Sequence, residues 1–153
     1  MAVDDIRNFL AVSGNLATAG QPSEAQLQSV AREGFKVVIN LGLLDPRYCL
    51  DDEAGRVQEL GMRYVHIPVD FEAPADEDLQ RFFQAMDEAR DQKVLVHCAA
   101  NYRVSSFVSL YGQAKLGWSE GDADAYVHRV WDPNPVWAEF INGARRHLPA
   151  RRK

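Results

Sequence analysis

Two hydrophobic patterns alternate along the chain. FKVVINL (35–41), MRYVHIPV (62–69) and KVLVH (93–97) are short apolar runs rich in β-branched residues, and each reads as a buried strand. Pro68 should mark the end of the second run. Between them lie stretches with helical spacing. Ser23 with Gln26 three residues later is a capping box, opening a helix that Gly34 closes. Asp51 or Asp52 caps a second helix that ends at Gly61. Asp76 caps a third, in which Leu79, Phe82, Phe83 and Met86 form one apolar face. After residues 98–103 a fourth helix starts near Arg103 or Val104. It carries Phe107, Val108, Leu110 and Tyr111 and runs to Gly117. Ser119 starts a fifth. Asn134 followed by Pro135 opens a last helix with Trp137, Phe140, Ile141 and Ala144 inward. The three tryptophans lie in or beside these last helices and read as core.

Strands alternating with helices predict a single-domain α/β fold, with a mainly parallel central sheet and helices on both faces. In such sheets ligands bind beyond the C-terminal ends of the strands. The KVLVH strand ends directly at Cys98.

The chain has 153 residues, which is one domain's length, and it can bury roughly two-thirds of its unfolded surface. We expect a domain over 1–148 and a basic tail over 149–153. The formal charge of −5 argues against nucleic acid as the main partner. No run approaches the ~20 apolar residues of a membrane span, and the N-terminus lacks the apolar core of a signal peptide. The two cysteines, Cys49 and Cys98, are expected to be free thiols in a cytoplasmic protein. No zinc spacing appears, and no metal or cofactor is expected.

The candidate chemistry lies in HCAANYRVS, residues 97–105. A strand, a cysteine, a short loop and a helix start follow one another. A helix N-terminus offers unpaired amides and a partial positive charge, so it attracts anions. The same field favours a thiolate. Arg103 adds a permanent charge and a planar fork that fits two oxyanion oxygens. Together these groups describe covalent catalysis on a tetrahedral anion. A lone cysteine after a strand is commonly plain core, but His97, Asn101, Arg103, Ser105 and Ser106 make this neighbourhood too polar for that.

HCAANYRVS resembles the His-Cys-x5-Arg-Ser/Thr signature of the cysteine-dependent phosphatases, the protein tyrosine and dual-specificity group, and is most similar to small bacterial members. AGQPSEAQLQSVAREGFKVVINL resembles that group's opening strand, helix and second strand. GMRYVHIPVDFEAP resembles its strand leading into the general-acid loop. The resemblance implies hydrolysis of a phosphomonoester without metal, on a phosphorylated protein or a small phosphoester. It implies that Cys98 is the nucleophile, that Arg103 holds the phosphate, and that Asp70 protonates the leaving group. It also implies that Ser105 assists the thiolate and that His97 orients the loop. Asp76 and Asp78 are rival acids, though each also suits a helix start. The anion loop would comprise Ala99, Ala100, Asn101, Tyr102, Arg103, Val104 and Ser105.

The spacing departs from that signature, because only four residues separate Cys98 from Arg103. Either the loop is one residue short, or Ser105 stays in register and Val104 takes the arginine's place. A short ring supplies one amide fewer, and losing one oxyanion donor costs about 10² to 10³ in rate. The loop also lacks glycine, and Asn101 is its residue most able to adopt positive φ. Slow turnover, anion binding without turnover, and rhodanese-like sulfur transfer are therefore alternatives. Asp45, Arg47 and Tyr48 form a polar patch that either lines the same cleft or is ordinary surface. Cys49 is a bystander or a redox partner of Cys98. His66 reads as a satisfied core histidine, whereas His128 and His147 show no partner. The sequence does not reveal the oligomeric state.

Overall fold

The β-branched runs form strands and the periodic stretches form helices, in the order the sequence predicts. The computed structural model describes residues 3–148, so the basic tail expected at 149–153 lies outside the described residues. The elements are β1 (Leu10–Ser13), β2 (Leu16–Ala19), α1 (Glu24–Arg32), β3 (Val37–Asn40), α2 (Glu53–Glu59), β4 (Arg63–His66), α3 (Asp76–Glu88), β5 (Val94–His97), α4 (Tyr102–Lys115), α5 (Glu120–His128) and α6 (Pro135–Arg145). The five strands form one sheet in the order β1-β2-β5-β3-β4. All neighbours are parallel except β1 and β2, which form an antiparallel hairpin.

Alternation along the strands divides the interior into two cores. Val37, Ile39, Val94 and Val96 face the side covered by α3, α4 and α6, with Phe82, Phe107 and Trp137. Val38, Leu95, Ala17 and Ala19 face the side covered by α1 and α2, with Leu27, Val30 and Val57. Buried on both faces, β5 is the central strand, and Cys98 leaves its C-terminal end.

The helix punctuation follows the sequence closely. Ser23 and Gln26 form the predicted capping box, and Gly34 sits at φ 92° just past α1. Asp52, not Asp51, caps α2 by accepting from Gly55 N. Two expectations are corrected and one element is new. Ala75 is the N-cap of α3, and Asp76 is its first helical residue, where its charge favours the helix dipole. Helix α4 begins at Tyr102, ahead of Arg103. The β1–β2 hairpin was not anticipated, because LAVSGNLATA offers only two four-residue strands with few large apolar side chains. Of the tryptophans, Trp137 is fully buried, while Trp118 and Trp131 are half-buried against the same core.

Phe82 of α3 is fully buried, with its ring 5.8 Å from Phe107 and 6.2 Å from Tyr111. Phe82→Ala should therefore lower the unfolding free energy by about 3–5 kcal/mol, as measured by urea titration. A loss below about 1 kcal/mol would show that this face is not tightly packed.

Candidate active site

Cys98 is 1% exposed at the floor of the β5–α4 connection. On either side of it the backbone is still tied to the sheet, with Cys98 N donating to Ala19 O (3.3 Å) and Leu41 N to His97 O (2.8 Å). Beyond Cys98 the chain turns, and each carbonyl finds a partner behind the loop. Cys98 O lies 3.3 Å from His97 Nδ1. Ala99 O accepts from Gln21 N at 3.0 Å, and Ala100 O accepts from Asn8 Nδ2 at 2.9 Å. No peptide among the described residues is cis. In a trans peptide the N–H points opposite to the C=O. The amides of Ala99 and Ala100 therefore point away from these anchors, whereas the antiparallel bridge between Gly20 and Ala100 aims the Asn101 N–H back toward Ala19.

Asn101 then sits at φ 70°, the left-handed conformation the missing glycine would have supplied. Its side chain donates to Asn8 O (2.8 Å) and Thr18 Oγ1 (3.1 Å), which holds that conformation in place. The first helical bond of α4 runs from Ser105 N to Asn101 O (2.8 Å). The amides of Tyr102, Arg103 and Val104 thus precede the first acceptor of the helix. The segment 98–104 thus turns the amides of Ala99 and Ala100 away from its anchored carbonyls, and those of Tyr102, Arg103 and Val104 out of the helix start.

Arg103 is 6% exposed. Its Nη1 donates to Val69 O (3.0 Å) and its Nη2 to Tyr48 Oη (3.4 Å), with the guanidinium 5.8 Å from the Phe71 ring centre. Its Nε–H is buried and has no acceptor. Val104, by contrast, is fully buried in the core beneath α4. The arginine thus occupies the polar side of the helix start and Val104 does not take its place.

Asp70 immediately follows the Val69 carbonyl that Arg103 grips. Val69 N also bonds Leu41 O (3.1 Å), which carries the pairing with β3 past the end of β4. The Asp70 carboxylate is exposed and accepts from Glu72 N (2.9 Å). Its neighbour Phe71 is held by Trp137 Nε1, which donates to Phe71 O at 2.8 Å. Phe71 and Tyr102 extend an aromatic cluster in which Tyr102 stacks on Trp131 at 4.5 Å. Asp76 lines a groove of about 490 Å³ with Val136, Glu139 and His147 at α6, away from the cysteine loop. Asp78 lies in the first turn of α3, where burial pushes its carboxyl up.

Ser105 is buried, and its hydroxyl donates to Tyr102 O (3.1 Å), as does that of Ser106 (3.0 Å). The 45–48 patch divides. Asp45 and Arg47 form an ion pair at the surface, which holds the Asp45 carboxyl down to about 2. Tyr48 instead reaches Arg103. Cys49 is half-buried and, like Cys98, a free thiol. His66 Nε2 is satisfied by Gly42 O at 2.7 Å. His128 does have partners, with Nδ1 2.8 Å from Asp124 O and Nε2 3.6 Å from Asp132.

Two residues escaped sequence reasoning. Glu53, the first residue of α2, is buried with its Oε2 2.6 Å from His97 Nε2, and Gln21 Nε2 donates to its Oε1 at 2.7 Å. Burial pushes the Glu53 carboxyl up, but the bonds from His97 and Gln21 outweigh it and hold it below the usual range. A glutamate just after a cap aspartate reads as a first-turn dipole partner, so nothing local signals burial. Gly20 is the other. A Cβ there would stand 2.6 Å from Ala99 O and 3.1 Å from Arg7 O.

A family model described as DSP-PTPase phosphatase fused to NAD+ kinase matches residues 8–128. A DUF442-group phosphatase candidate from Shewanella putrefaciens CN-32 superposes with a TM-score of 0.86 at 33% identity, over 97% of each chain. The active form of Tk-PTP superposes with a TM-score of 0.79 over 92% of this chain and 97% of that one, and at 24% identity this shows the shared fold. A beta-lactamase hydrolase-like protein from Xylella fastidiosa is 28% identical over 102 residues, 65% of this chain. The chain spans only 23% of that protein's length.

The closeness of Gly20 to the loop generates a test. Gly20→Ala should displace the Ala99 peptide and weaken sulfate binding by about tenfold or more, read by isothermal titration calorimetry. Overpacking of this kind costs about 1–3 kcal/mol of stability, so the variant should still fold. Unchanged affinity would mean that the loop does not depend on this contact.

Proposed function

The chain belongs to the DSP-PTPase phosphatase family, and from that membership we propose that it hydrolyses a phosphomonoester through a phosphocysteine at Cys98. The observation that carries this reading is the buried Nε–H of Arg103, without an acceptor, beside a loop whose carbonyls are all bound behind it. An unpaired buried donor costs about 1–3 kcal/mol, and an oxyanion at this place would recover that cost. The fork of Arg103 keeps further hydrogens on Nη1 and Nη2 for the same ligand.

The reaction then proceeds in two displacements. The Cys98 thiolate attacks phosphorus, the ester P–O bond breaks, and the departing oxygen takes a proton from Asp70. Water then attacks the phosphocysteine, Asp70 takes its proton, the S–P bond breaks, and phosphate leaves with the thiolate restored. The amides of Ala99, Ala100, Tyr102, Arg103 and Val104 and the Arg103 guanidinium stabilise the equatorial oxygens in both transition states. Support for Asp70 comes from its position next to the carbonyl that Arg103 grips. Its Oδ1 is occupied by Glu72 N, so Oδ2 is the oxygen that carries the proton. Because the loop holds four residues where the signature has five, we further propose that turnover is slow. The substrate in this reading is a phosphorylated protein or a small phosphoester.

Sulfur transfer through a persulfide on Cys98 is a second reading, favoured by the exposed and already bonded carboxylate of Asp70. Taking the sulfane sulfur of thiosulfate onto the thiolate releases sulfite and needs no general acid.

The purified protein should release p-nitrophenol from its phosphate ester. Cys98→Ser should abolish this, and Asp70→Asn should lower kcat by about 10² to 10⁴. Turnover no higher than that of Cys98→Ser would reject hydrolysis. Thiocyanate made from thiosulfate and cyanide, dependent on Cys98, would then replace it by sulfur transfer. Inserting a glycine between Asn101 and Tyr102 should raise the phosphatase rate if the short ring limits it, and a fall would overturn that part.

A further inference from the structure

His97 is fully buried, and both of its ring nitrogens face oxygen acceptors. Nε2 lies 2.6 Å from Glu53 Oε2, and Nδ1 lies 3.3 Å from Cys98 O. A neutral imidazole has one donor and one acceptor nitrogen, so it would turn a lone pair toward one of these oxygens. Only the imidazolium donates to both. We propose that Glu53 is a positioning residue that keeps His97 doubly protonated, so that His97 holds the Cys98 carbonyl behind the anion loop and turns the Ala99 N–H toward the anion. This inference rests on the reading of residues 98–104 as an oxyanion site.

The surroundings fit a charged pair. Glu53 is 3% exposed, and an ionised carboxylate at that depth needs full hydrogen bonding. It has it, with His97 on one oxygen and Gln21 Nε2 on the other. Besides His97, the titratable groups acting on Glu53 are His66 and Tyr64 of β4. Neither offers it a hydrogen bond, since His66 is bonded to Gly42 O and Tyr64 accepts from Asn40 Nδ2. Among the described residues, Glu53 therefore has one partner able to carry positive charge in direct contact, and that partner leads straight to the peptide after Cys98.

The test reads protonation and anion affinity separately, and needs no turnover. In the wild type at pH 7, ¹⁵N NMR of the imidazoles should show a proton on both nitrogens of His97. A singly protonated His97 overturns the inference. Glu53→Gln keeps the shape but removes the charge, and should leave His97 with one proton and raise the Kd for tungstate about tenfold. His97→Asn should weaken tungstate by a similar factor. The double variant should lose no more than the worse single, because Glu53 acts through His97. Additive losses, or an unchanged His97 in Glu53→Gln, would overturn it. If Glu53→Gln does not fold, the wild-type spectrum and the tungstate affinity of His97→Asn decide the question. Wild-type tungstate binding that Arg103→Ala leaves untouched would instead sink the reading of the loop itself, which separates the two failures.

Discussion

The site depends on one constraint of peptide geometry. A trans peptide cannot point its N–H and its C=O to the same side, so an amide cradle requires that its carbonyls be satisfied elsewhere. Here the satisfaction comes from four separate parts of the chain. His97 takes the carbonyl of Cys98, the strand-to-helix segment after β2 takes that of Ala99, and Asn8 takes that of Ala100. Asn101 O begins the helix. The loop is thus shaped less by its own sequence than by what lies behind it. That explains why a chain with alanines where glycines are usual can make this turn. The close approach that a loop glycine would allow is provided on the opposite side, at Gly20.

Arg103 plays the corresponding part in front. It joins the segment after β4 to the segment after β3, through Val69 O and Tyr48 Oη. The Val69 contact also fixes where Asp70 begins, and Trp137 fixes Phe71 from the other direction. Asp70 therefore lies on a loop held at residues 69 and 71, with its side chain exposed.

Much of this was legible in the sequence, for local reasons. Caps, apolar periods and positive-φ positions are encoded within a few residues, so Ser23, Gly34, Asn101 and Asn134 each declared their roles. The β-branched runs marked three of the five strands. The β1–β2 hairpin was missed because a four-residue strand carries too short an alternation to stand out, and its stability comes from pairing β2 with β5 at long range. Asp76 was misplaced by one position, a slip that arises because aspartate favours both the cap and the first turn. Glu53 and Gly20 were illegible for a different reason. Glu53 meets His97 and Gly20 meets Ala99 across a large sequence separation, and neither residue type is unusual where it stands.

The four-residue spacing then acquires a structural account. With Asn101 in the left-handed region, α4 starts at once, and Arg103 becomes the second residue of the helix. The helix start thereby adds the amides of Tyr102, Arg103 and Val104 to those of Ala99 and Ala100. The shorter ring therefore still ends on unpaired helix-start amides. What it alters is the arginine, whose side chain leaves from the first helical turn and spends two hydrogens on Val69 and Tyr48. Its Nε–H and the remaining terminal hydrogens are left over from these bonds. The missing residue therefore bears on where the guanidinium lies, and Tyr48 and Val69 are the groups that hold it there.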